Sequence, residues 1–124
     1  MPITCDLESI PGVICSVFTG QVTDQELHAY YRQPFVDGFP GRWLELVDGT
    51  GITSMGITSA GEHQLAAILA PHIEKLRGGR VAMVATSDVV FGMFRMWELQ
   101  REGVGYEVSV FRDVAAAREW LLPG

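Results

Sequence analysis

The sequence predicts an α/β fold: a five-stranded, mixed but mainly parallel sheet with an N-terminal hairpin and about four helices. Three observations carry that expectation. Strand-like and helix-like segments follow one another as β-β-α-β-α-β-α-β-α, and strands separated by helices need right-handed crossovers, which make them parallel. Residues 80–86, Arg-Val-Ala-Met-Val-Ala-Thr, are apolar at consecutive positions, the pattern of a parallel strand covered on both faces. Two alternating runs flank the turn signal Pro11-Gly12, which reads as a hairpin.

The first run is residues 3–8, Ile-Thr-Cys-Asp-Leu-Glu, and the second is residues 13–19. Thr23 is placed to cap a helix, with Glu26 completing a capping box, and Leu27, Tyr30 and Tyr31 share one face. That helix ends near Pro34, and Pro34, Gly38, Pro40 and Gly41 mark a loop. Trp43-Leu-Glu-Leu-Val-Asp48 is the third strand. The segment from Gly49 to Thr58 is rich in glycine, threonine and serine, has no charge, and reads as an adjustable loop. Ser59 with Glu62 forms a second capping box, opening a helix through Leu65, Ala66, Ile68 and Leu69. Pro71 kinks that helix or starts a new one through Ile73 and Leu76, and Gly78-Gly79 stops it. After the strand at 80–86, Ser87 caps a helix to about Glu102, which Gly103 and Gly105 end. Residues 106–112 alternate as the fifth strand, and Asp113 caps a last helix with Val114, Ala117, Trp120 and Leu121.

A length of 124 residues suits one domain, 1–124, with its own core, and 48% apolar residues exclude disorder. Fifteen acidic residues against nine basic ones leave a net charge of −6, and Lys75 is the sole lysine. Binding phosphates takes clustered lysine and arginine, so nucleic acid and anionic membranes are excluded as expected partners. The N-terminus lacks a basic region followed by an apolar run, and no stretch approaches the ~18 apolar residues of a membrane span. A cytoplasmic protein with no membrane insertion is expected. Cys5 and Cys15 fall in neighbouring strands of the hairpin. A two-residue turn sets Cys5 opposite Phe18, with Cys15 on the other face; a three-residue loop sets both on one face, though not opposite. Two reduced thiols are expected.

Two stretches resemble a known group of proteins. One is Arg80-Val-Ala-Met-Val-Ala-Thr-Ser-Asp-Val-Val-Phe-Gly-Met-Phe-Arg-Met-Trp-Glu-Leu; the other is Tyr106-Glu-Val-Ser-Val-Phe-Arg-Asp-Val-Ala-Ala-Ala-Arg-Glu-Trp-Leu. Their strand, their helix with Gly92 and Arg95-Met96, and their Val-Phe-Arg-Asp strand end before a Trp-Leu helix resemble small bacterial SpoIIAA-like, or STAS/SEC14-type, domains. Residues before 80 match in element order only. The resemblance implies a STAS-like fold and little about activity. Of its relatives, anti-sigma-factor antagonists switch partners when a serine before a helix is phosphorylated, and SEC14-type domains carry apolar ligands. The antagonists' compact Asp-Ser-Ser-Gly turn is missing here, and Ser54-Met55-Gly56 is a loose echo of it.

In open α/β sheets ligands gather at the carboxyl ends of the strands. Asp48, Thr50, Ser54, Thr58, Ser59, Ser87 and Asp88 are therefore the candidates for a ligand site or a phospho-switch. Backbone N–H groups at the following helix start favour an anion or a phosphorylated hydroxyl there. The same residues also suit a plain loop and ordinary helix caps. No Walker A lysine or dinucleotide glycine pattern is present, so no cofactor is expected. His63 has Glu62 beside it, but adjacent helical residues diverge by about 100 degrees, and no histidine or cysteine stands at ligand spacing from His28 or His72, so no metal is expected either. On the helix starting at Ser87, Val89, Val90, Met93 and Trp97 turn inward in this reading. Phe91 and Phe94 are then left for a dimer contact or the wall of an apolar pocket, with burial under a neighbouring element as the alternative.

The expectation is a non-enzymatic regulatory or binding module, a homodimer through the Phe91/Phe94 helix, with residues 49–59 as its switch and a protein as partner. The first alternative is a carrier or sensor of a small apolar ligand held between sheet and helices. The second is an enzyme working at the strand carboxyl ends, although no acid, base or nucleophile constellation can be read and no catalytic residue is assigned.

Overall fold

The computed structural model describes residues 2–32 and 41–122. Its strands are β1 (Ile3–Asp6), β2 (Ile14–Thr23), β3 (Leu44–Gly56), β4 (Arg80–Val84) and β5 (Glu107–Phe111). They lie side by side in chain order, β1 antiparallel to β2 and every other pair parallel. The helices are α1 (Asp24–Tyr31), α2 (Ser59–Leu69), the short α3 (Ile73–Leu76), α4 (Asp88–Gln100) and α5 (Val114–Leu121). The α/β architecture, the hairpin arm and, among the described residues, four helices of eight residues or more are as the sequence predicts. The expected loop positions Pro34, Gly38 and Pro40 lie outside the described residues.

Strand order equal to chain order has a direct consequence. Right-handed crossovers that step steadily in one direction put their helices on one face of the sheet. Accordingly α1, α2, α3 and α4 cover the face bearing Ile14, Phe18, Val47, Val81 and Met83. The last helix, α5, is bound by no crossover and packs Ala117 and Leu121 against Cys15, Leu46, Ala82 and Val84 on the opposite face. The four-helix face encloses the larger part of the core.

Residues 49–56 are not a loop. They extend β3 beside Thr19–Thr23 of β2, which itself runs past its expected end, with register irregularities between Val17 and Thr19 and between Gly20 and Gln21. The alternation is hidden because an extra residue shifts the buried set, leaving Ile52 inside and Thr53 and Ser54 outside. Gly49 belongs in this strand for a packing reason: a Cβ there would stand 2.9 Å from the Phe94 ring and 2.8 Å from the Val84 carbonyl.

At the far end of this two-strand extension, α1 and α2 start side by side. Thr23 caps α1 in a capping box with Glu26. The cap of α2 is Thr58, one residue before the expected Ser59; its hydroxyl accepts from the Gly61 N–H at 2.9 Å. Asp24 ties the two helix starts together, accepting from the Thr58 N–H at 3.0 Å and the Thr58 hydroxyl at 2.6 Å. Thr58→Ala removes the cap and the hydroxyl half of this tie, leaving the backbone N–H bond to Asp24, and is expected to lower stability by about 1–2 kcal/mol in urea unfolding. Ser59→Ala is expected to stay within about 0.5 kcal/mol of the parent.

The hairpin also departs from its expected register. Asp6 Oδ1 accepts from the Glu8 and Ser9 N–H groups, at 2.9 Å and 3.0 Å, and so ends β1 early. Cys5 consequently lies opposite Ser16 rather than Phe18. Cys5 is exposed and Cys15 buried, both as free thiols. Ser87 and Asp113 cap α4 and α5 as expected. Pro71 is the second residue of a 3-10 turn, Ala70–His72, that leads into α3.

Candidate functional site

Two polar side chains are buried among the described residues: Ser16, at 0% exposure, and Glu45, at 3%. Both sit on the four-helix face, because side chains alternate along a strand and each is two residues from inward-facing Ile14 and Phe18, or from Trp43 and Val47. Ser16 Oγ donates to Glu45 Oε2 at 2.6 Å, and the Tyr31 hydroxyl donates to the same oxygen at 2.8 Å. Since the Ser16 proton is used on Glu45, the Tyr30 hydroxyl donates to Ser16 Oγ, at 2.7 Å. Strands β2 and β3 supply the acceptor side and α1 supplies both phenols. Tyr30 and Tyr31 meet edge to face, with centroids 4.9 Å apart.

Burial pushes the Glu45 carboxyl above its ordinary range, and hydrogen bonds from Ser16, Tyr31 and Trp43 pull it back only in part. Burial, and then the Glu45 charge, likewise push the Tyr30 and Tyr31 phenols up. The folded chain therefore holds the Glu45 proton more tightly than the unfolded chain does. Its stabilising contribution is full below the unfolded carboxyl value and is lost as pH rises through the folded one. Glu45→Gln removes that slope. In urea unfolding from about pH 4 to pH 8 the parent is expected to lose stability relative to Glu45→Gln as pH rises, and parallel curves would contradict it.

The cluster borders a void. A cavity of about 40 Å³ is lined by Glu45 together with Tyr31, Trp43, Leu69, Trp97 and Tyr106, among others. A second, of about 50 Å³, lies toward Phe18, Leu27, Met93 and Phe94, and has Glu62 in its wall. Tyr31, Leu65, Met83 and Trp97 line both. A water needs roughly 10–15 Å³, so each space admits a few waters or a small organic group. Outside, a groove of about 300 Å³ runs between α2, α3 and the end of α4. Leu69, Leu76 and Tyr106 border both this groove and the Glu45 cavity. Burial pushes the Tyr106 phenol up to about 12.

The candidate residues read from the sequence do not gather on one rim. Asp48, half-buried, pairs across the sheet with Val84 and accepts from the Thr50 N–H at 3.0 Å and the Thr50 hydroxyl at 2.7 Å. Ser54 lies opposite Gln21, six residues of strand farther on, about 20 Å along the chain. Thr58 and Ser59 follow it; the Ser59 carbonyl accepts from His63 Nδ1 at 2.9 Å. Ser87 is used in capping, accepting from the Val90 N–H at 3.2 Å. Asp88 pairs with Arg112 at 3.0 Å, and that guanidinium lies 4.0 Å over the Phe91 ring and donates to the Thr86 carbonyl. Phe91 is thus half-buried beneath an arginine.

The inward face of α4 differs from the one read from spacing. Phe94, 2% exposed, and Val90 point to the sheet, while Val89 is 72% exposed. The helix is rotated because Gly49 leaves a place for the Phe94 ring on β3. Among the described residues no three His, Cys, Asp or Glu side chains gather as a metal-binding group. None of their helices is long and apolar enough to cross a membrane. The sequence reading missed Glu45 and Ser16. The signal was present: each is a lone polar residue on the inward-facing alternation of an otherwise apolar strand.

No protein-family model matches the sequence, and no curated protein matches it. Among solved structures, the chain is similar to an uncharacterized protein of the DUF3478 family from Shewanella loihica PV-4, described as having a SpoIIAA-like fold. The two superpose with a TM-score of 0.65 over 97% of this chain and 92% of that one, at 16% identity. This chain has a SpoIIAA-like fold. At such identity the match carries the architecture alone, and function has to be argued from the site. Within this SpoIIAA-like sheet, the buried carboxyl of β3 and the void beside it are the features that general packing does not demand.

Proposed function

We propose that this SpoIIAA-like protein is a non-enzymatic binding module, a carrier or sensor that holds a small, mainly apolar molecule between the sheet and α1, α2 and α4. The observation that carries the reading is the Glu45 carboxyl in the wall of an otherwise apolar cavity. Cores are normally packed without voids larger than a water, and a buried carboxyl is costly unless its partners are built around it. An apolar pocket with one anchored polar group is the usual form of a small-ligand site. The groove behind Leu69, Leu76 and Tyr106 gives a short route inward. Residues 49–56 being strand, the reading places binding inside the protein and not at that segment. The net charge of −6 disfavours a polyanionic partner.

Native mass spectrometry of the freshly purified protein tests this. A non-covalent small molecule is expected on the folded protein, leaving it on denaturation. Bare protein under the gentlest conditions would overturn the reading.

A second reading, self-association through α4, is favoured by its outward residues. Val89, Met96 and Leu99 are 72%, 54% and 51% exposed, and a Cβ at Gly92 between them would meet nothing within 4 Å. Positions 89, 92, 96 and 99 have the spacing of a helix-pairing seam, open to a second copy of the chain. The homodimer contact then runs through these residues and not through Phe94. Light scattering should give a dimer mass that Met96→Asp reduces to a monomer mass; a monomer in both would remove this reading.

A further inference from the structure

We propose that the occupant of the Glu45 cavity is a small alkylammonium ion, an inference that rests on the pocket reading above and names its ligand class. Among the described residues lining that cavity, Glu45 is the carboxyl and none is a lysine, arginine or histidine. Four aromatic side chains, Tyr31, Trp43, Trp97 and Tyr106, stand around it. Ring faces carry negative potential, and a carboxyl that gives up its proton beside a bound cation, within an aromatic enclosure, suits a cation whose remaining surface is alkyl. A neutral hydrocarbon makes no use of the carboxyl's charge. An anion meets it with repulsion. Spaces of about 40 and 50 Å³ limit the ion to a few non-hydrogen atoms. The overall negative charge of the chain favours approach of a cation.

The test compares ethylammonium with ethanol, which has the same number of non-hydrogen atoms, at constant ionic strength and near-millimolar affinity. The readout is the indole N–H signals of the full chain by NMR. Ethylammonium is expected to shift Trp43 and Trp97 in a saturable way, at least about tenfold tighter than ethanol, while Trp120, on the other face, stays put. Glu45→Gln keeps the shape and one acceptor oxygen for Ser16 and Tyr31 while removing the charge, and is expected to erase the preference. Equal binding of both probes by the parent overturns the ammonium assignment and leaves the pocket reading standing. Failure of ethylammonium to shift either indole also overturns it, and native mass spectrometry then decides the pocket reading separately. The comparison within the parent protein needs no variant to fold.

Discussion

Phe94→Ala is expected to lower folding stability by about 3–5 kcal/mol, read as a fall in the urea midpoint with little change in slope. The ring is 2% exposed and fills the place that Gly49 leaves open on β3, so truncation opens a hole that a strand backbone cannot collapse into. It also lines the cavity of about 50 Å³, which the change would enlarge. Met96→Ala, two residues along the same helix but 54% exposed, is expected to stay within about 0.5 kcal/mol. The contrast tests the rotation of α4. A surface role for Phe94 would give the two substitutions similar small effects.

Glu45→Ala is expected to cost roughly 3 kcal/mol, because it strands the Ser16 and Tyr31 hydroxyls without their shared acceptor, at about 1–3 kcal/mol for each unsatisfied buried group. Glu45→Gln keeps an acceptor at that place and is expected to remain within about 1 kcal/mol of the parent near neutral pH. Thermal or urea unfolding of the pair separates a hydrogen-bonded cluster from a residue that merely fills space, which would make Ala and Gln alike.

The architecture could be read from the sequence because it depends on patterns of period two and on capping residues. Consecutive apolar residues at 80–86, the Thr23/Glu26 box and the Ser87 and Asp113 caps each mark a local choice that tertiary packing leaves unchanged. The strand at 49–56 could not be read so easily, because glycine and serine weaken the strand signal and a register irregularity breaks the alternation. The inward face of α4 was obscured for a related reason. Val89, Val90, Phe91, Met93 and Phe94 are all apolar, so spacing alone leaves the rotation open, and Gly49, forty-five positions away, decides it. Glu45 is different. Its place on the inward alternation of Trp43-Leu-Glu-Leu-Val was visible, but that it meets Ser16 and Tyr31 depends on two neighbouring elements and their register.

The central claim is that a ligand space exists inside the protein, between the sheet and its four-helix face. Methyl NMR under xenon pressure reports it directly, since xenon enters apolar cavities. Saturable shifts are predicted at the methyl groups of Leu65 and Met83, which line both cavities, with none at exposed Val89, Met96 and Leu99. Shifts confined to the exposed α4 residues, or no saturable shift at all, would contradict it.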